Sequence, residues 1–156
     1  MKKLLTFLIL MTLTSILFGQ RAMTFAEADK QGISIESLDR LYASGIHADT
    51  SLAVFRNNID EYILAYQNLL QDLGNYLKRN NFDWEKPTNG FNRIYFHKDG
   101  SIDFFLYNFR PGQLTEEQEK KFAELLSGFI KDHHFALSAD KDFAQCSPVT
   151  YMPSAK

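Results

Sequence analysis

Apolar residues recur at three- and four-residue steps through Leu52, Phe55, Ile59, Tyr62, Ile63, Tyr66, Leu69, Leu70, Leu73, Tyr76 and Leu77. That period predicts a long amphipathic helix over 51–79, with a break near Asn57-Asn58. Lys78 and Arg79 suit its C-terminal turn, where the helix dipole favours positive charge. A shorter stripe, Ile35, Leu38, Leu41 and Tyr42, follows Ser34 and ends before Gly45, predicting a helix over 35–44 with a serine N-cap. Phe122, Leu125, Leu126, Phe129 and Ile130 form a third stripe. It is preceded by Thr115-Glu116-Glu117-Gln118, a capping-box pattern, and predicts a helix over 116–132. Phe25, Ala26 and Ala28 suit a short helix in the lead-in, stopped by Gly32.

Between the two long helices the period changes from 3.6 to 2. The stretch from Phe91 to Phe109 is two aromatic-rich runs joined by Lys98-Asp99-Gly100. Asp-Gly between alternating runs predicts a β-hairpin, because Gly supplies the positive φ that a tight turn needs. In the first run Ile94 and Phe96 share one face, and Phe91, Arg93, Tyr95 and His97 share the other. In the second, Ile102, Phe104 and Leu106 share one face, and Asp103, Phe105, Tyr107 and Phe109 the other. A sheet with one wet face alternates more cleanly than this. Either both faces are covered or one keeps its aromatics for a partner. The pattern predicts an exposed patch of Tyr95, Phe105 and Tyr107, offering ring faces and hydroxyls to a ligand. Thr88-Asn89-Gly90 reads as a turn, Phe135–Leu137 as a short strand and Cys146–Met152 as a last strand. Pro148 pushes that last strand to a sheet edge, and a free edge is also a place for a partner strand to add. The fold class expected is α+β: two main helices packed on a small antiparallel sheet built around the 91–109 hairpin, in one domain over residues 20–156.

Composition narrows the setting. The chain has 156 residues, 45% hydrophobic and 23% charged, with 14 Phe and 7 Tyr, which suits one aromatic-rich core. Lys2 and Lys3 precede an apolar run from Leu4 to Phe18, followed by the small residue Gly19, the layout of a secretory signal peptide over 1–19. Ala22 offers a second cleavage position, and the competing reading is an uncleaved anchor. The run is shorter than the roughly 20 residues that cross a bilayer, so no transmembrane span is expected after cleavage. Removing 1–19 takes away two lysines and no acid, leaving 15 basic and 19 acidic residues, a net charge of -4. That balance argues against nucleic acid as partner. An exported protein, periplasmic or extracellular, is the expectation. The single cysteine, Cys146, excludes an internal disulfide.

Signatures for chemistry are missing. The chain has no GxSxG, GxxxxGK[ST], GxGxxG, HExxH or CxxC. His47, His97, His133, His134 and Cys146 are the metal-ligand types present. Adjacent His133 and His134 diverge on a helix or strand and read better as C-terminal helix residues than as a chelate, so no metal and no cofactor are expected. Asp99 suits the turn, and Asp103 is placed to pair with Arg93 across the hairpin. Two function classes remain. One is a non-catalytic binding module for a protein or envelope component. The alternative is a small hydrolase whose site is drawn from His97, His133, Asp103 or Cys146.

The order strand, Asp99-Gly100-Ser101 turn, strand, helix beginning at Leu114-Thr115-Glu116, then a strand with Val149-Tyr151-Pro153 resembles the C-terminal domain of TonB-type energy transducers over residues 91–153. The resemblance implies a hairpin followed by a helix and a closing strand. The chain has no Pro-rich spacer of the kind those transducers carry. As a whole it is similar to small exported Gram-negative bacterial proteins of unknown function, which implies a compartment and no activity.

Overall fold

A computed structural model describes residues 19–153; the expected signal peptide lies outside the described residues apart from Gly19. The hairpin forms as β3 (Thr88–Phe96) and β4 (Ile102–Phe109), and the last strand as β5 (Phe143–Tyr151). β3 is central, antiparallel to both β4 and β5. Two short strands complete the sheet at its edges: β1 (Arg21–Thr24), parallel to β4, and β2 (Ala43–Ser44), parallel to β5. The order β1-β4-β3-β5-β2 makes the sheet mixed, correcting the expected all-antiparallel arrangement. The fold class is α+β.

Helices cover both faces. On the first lie α3 (Ile59–Arg79) and α4 (Glu116–Asp132). Tyr62, Tyr66, Leu69, Leu73 and Leu77 of α3, with Phe122, Leu126, Phe129 and Ile130 of α4, pack on Ile94, Phe96, Phe105, Tyr107, Phe143 and Tyr151. The α4 capping box closes as its sequence predicts, with Gln118 N–H donating to Thr115 Oγ1 at 3.2 Å and Thr115 N–H to Gln118 Oε1 at 2.9 Å. Trp84 stacks on Tyr151 at 4.5 Å and closes one end of this core. On the second face lie α1 (Phe25–Lys30) and α2 (Ile35–Leu41), and a smaller core joins Met23, Ala28 and Leu38 to Tyr95, Phe104 and Leu106. Ser34 caps α2 through the Ser37 N–H.

Several boundaries move, each for a local reason. The long helix starts at Ile59 rather than 51. Val54 and Phe55 N–H groups donate to Ser44 O and Gly45 O, both at 3.0 Å, which ties this stretch to β2 as a turn that follows a short 3-10 helix at Thr50–Leu52. Phe55 still joins the core, 4.7 Å from the Tyr62 ring, whereas Leu52 stays exposed. α2 stops at Leu41, since Tyr42 leaves the helix in an extended conformation. Thr88-Asn89-Gly90 is strand rather than turn, pairing with Tyr151, Thr150 and Val149. Phe135–Leu137 is not a strand; it is docked by Phe135 N–H on Gly100 O and Ala139 N–H on Lys98 O, both 2.8 Å. No helix among the described residues is long and apolar enough to cross a membrane.

Candidate functional site

The expected aromatic patch is core. Tyr95 and Phe105 are 0% exposed and Tyr107 2%. They also do not share a face. Register pairs Tyr95 with Phe104 and Ile94 with Phe105, so Tyr95 points to α1 and α2 while Phe105 and Tyr107 point to α3 and α4. The reason is a register shift at Tyr95/Phe96, beyond which Phe96 pairs with Ile102. The bulge leaves Asp103 facing α2, where Tyr42 Oη donates to it at 2.8 Å. Arg93 lies opposite Leu106, two rungs from this point, so the expected Arg93–Asp103 pair does not form. Arg93 instead pairs with Asp39 of α2.

The candidate hydrolase residues do not converge among the described residues. His97 Nδ1 lies 3.1 Å from Asp99 and its Nε2 3.9 Å from Asp142. Asp103 is held by Tyr42. His133 stacks on Phe129 at 4.0 Å, with Nδ1 2.9 Å from Phe129 O, at the end of α4 on the first face. Cys146 is an exposed free thiol on β5. No group of three or more His, Cys, Asp or Glu among the described residues is arranged to hold a metal ion.

What the fold does build is a strip on the second face. α1 and α2 cover only part of it. Beyond them, β3–β5 rungs alternate outward as Arg93–Cys146, Phe91–Pro148 and Asn89–Thr150. Cys146, Pro148 and Thr150 are exposed, while Phe91 and Arg93 are half-buried. Two clefts meet here on neighbouring rungs. One, of about 430 Å³, is lined by Asp39, Tyr42, Ser44, His47, Arg93 and Cys146. The other, of about 400 Å³, is lined by Asn89, Phe91, Asn108, Arg110, Pro148 and Thr150. Both volumes fall in the range of about 300–1,000 Å³ that holds small ligands.

The polar anchor of this strip is preorganised. Arg93 Nε donates to Tyr95 Oη at 2.8 Å, Tyr95 Oη donates to Asp39 Oδ1 at 3.1 Å, and the guanidinium also donates to Asp39 Oδ2. Burial pushes the Tyr95 phenol up, and the Asp39 charge adds to the shift, so Tyr95 remains a donor across the physiological range. Burial also raises the Tyr42 phenol, helped by its hydrogen bond to Asp103. The Asp103 carboxyl is raised by burial, with the Tyr42 bond opposing.

The edge of β5 is a poorer site than its face. Gly45 N–H donates to Ala144 O at 2.9 Å, so Ala144 turns its backbone outward, and by alternation so do Cys146, Pro148 and Thr150. Pro148 has no N–H, and Gln145 Nε2 already donates to Cys146 O at 2.8 Å. A proline and a filled acceptor blunt an edge against strand addition. Sequence reasoning missed Asp39, because only the tertiary fold brings it to Arg93, 54 residues away. Comparison with protein-family models, curated proteins and solved structures finds no match.

Proposed function

We propose that this protein is an exported, non-catalytic binding module of the cell envelope whose ligand lies across the open strip of the second sheet face. The observation that carries the reading is the pair of clefts on adjacent β3–β5 rungs, beside sheet residues whose aromatic side chains otherwise join the two cores. Arg93, aligned from beneath by the buried Tyr95 hydroxyl, supplies a fixed polar contact at one end, and Phe91 supplies apolar contact beside it. Such a mixture of apolar surface and a few fixed donors is what orients a ligand. Export rests on the Lys2-Lys3 and Leu4–Phe18 layout.

Cys146 provides the assay, since its exposed thiol sits within the strip. The purified protein is alkylated with a small neutral thiol reagent, alone and with a panel of soluble cell-wall fragments and unstructured peptides. A ligand of the strip slows the alkylation in step with its occupancy. Binding measured calorimetrically without any protection of Cys146 puts the binding surface elsewhere and overturns the reading.

A further inference from the structure

We infer that the strip recognises carboxylates carried on an extended acidic peptide, and that Asp39 occupies the carboxylate position until such a peptide displaces it. The inference rests on the strip being the binding face. Arg93 Nε is held by Tyr95 Oη at 2.8 Å, and the rest of the guanidinium converges with the Tyr95 hydroxyl on the two oxygens of Asp39. That is a fork of donors shaped for one carboxylate, the geometry in which Arg outperforms a point charge. The donors stand on the central strand, whereas the acceptor stands on a seven-residue helix that buries Leu38 alone. The side chains are 23% exposed at Arg93 and 41% at Asp39, and both line the larger cleft, so the acceptor can be exchanged without opening the core.

Charge supports the same ligand. The chain as a whole carries net charge -2, yet along the two clefts the full charges are Arg93 and Arg110 against Asp39 alone. Once a peptide carboxylate takes the place of Asp39, Arg110 remains for a second one at the far cleft. The intervening Phe91–Pro148 rung offers apolar contact between them. Complementary charge of this kind sets partner choice and steers encounter.

The probes are a hexapeptide of alternating glutamate and alanine with both ends blocked, its glutamine counterpart, and an alanine hexapeptide with only its C-terminus free. Affinity is measured by calorimetry and the binding place by amide chemical shifts. The glutamate peptide is expected to bind about tenfold more tightly than the glutamine one, the scale of one charge-assisted hydrogen bond. Arg93→Gln abolishes that preference, and Arg110→Gln reduces it. Asp39→Asn keeps an acceptor for Arg93 and Tyr95 but removes the competing charge, so it tightens glutamate-peptide binding. Binding of the free-terminus peptide with the same Arg93 dependence supports the carboxylate site and assigns it a chain terminus as well. If glutamate and glutamine peptides bind alike on the strip, or Asp39→Asn weakens binding, the carboxylate inference falls and the binding face stands. Shifts confined to other surfaces overturn both.

Discussion

Arg93, at the middle of the central strand, is joined to Asp39 of α2, and the same guanidinium is aligned by the Tyr95 hydroxyl. This contact and the Tyr42–Asp103 hydrogen bond are the polar ties between the α2 segment and the sheet. The ion pair is partly exposed, so it contributes little to stability. Asp39→Asn is expected to lower unfolding free energy by less than about 1 kcal/mol in urea melts, the scale for such pairs. Its effect belongs to binding.

Tyr95 is different, because its ring is buried between Tyr42 at 5.1 Å and Phe104 at 6.2 Å. Tyr95→Ser removes the ring and is expected to cost about 3–5 kcal/mol, as for other large aromatic truncations. Tyr95→Phe keeps the ring and loses the hydroxyl, for about 1–2 kcal/mol. Chemical denaturation of the two variants separates core packing from polar alignment. Equal, negligible losses would return Tyr95 to the surface.

Gly100 has φ +92°, and a Cβ there would sit 2.5 Å from Phe135 O. Its own carbonyl accepts from Phe135 N–H at 2.8 Å. Gly100→Ala therefore strains the turn and pushes away the segment after α4, with an expected loss of about 1–3 kcal/mol by thermal or urea unfolding.

Alkaline pH should unfold the protein from its tyrosines. Burial pushes Tyr66 up to about 12, its Ser147 hydrogen bond opposing, and burial also raises Tyr42, Tyr62, Tyr95, Tyr107 and Tyr151. The unfolded chain gives up these protons near pH 10, while the folded chain keeps them. The unfolded state then binds fewer protons, so stability falls as pH rises above about 10. Tyrosinate absorbance should rise together with loss of the far-ultraviolet helix signal. A full tyrosinate signal with the fold intact would contradict the burial.

Long elements were legible in the sequence because their periods were. The α4 stripe and its Thr115–Gln118 box gave 116–132, and the Asp-Gly turn located the hairpin. β1 and β2 escaped because four- and two-residue strands carry no period; their pairing is set by β4 and β5. The ambiguous hairpin faces had a real cause, since helices cover both. The two-residue alternation that grouped side chains within each run said nothing of the register between them, and the shift at Tyr95/Phe96 was invisible to it. The site depended on contacts between residues 54 to 61 apart, beyond the reach of local spacing.

The most direct test of the binding strip is amide chemical-shift mapping during titration of the purified protein with the cell-wall fragments and peptides. Perturbations are expected to cluster at Phe91, Arg93, Asn108, Cys146 and Thr150, with Leu64 on the exposed side of α3 unmoved. Perturbations centred on Ile63 and Leu64, the exposed apolar residues of α3, would contradict it.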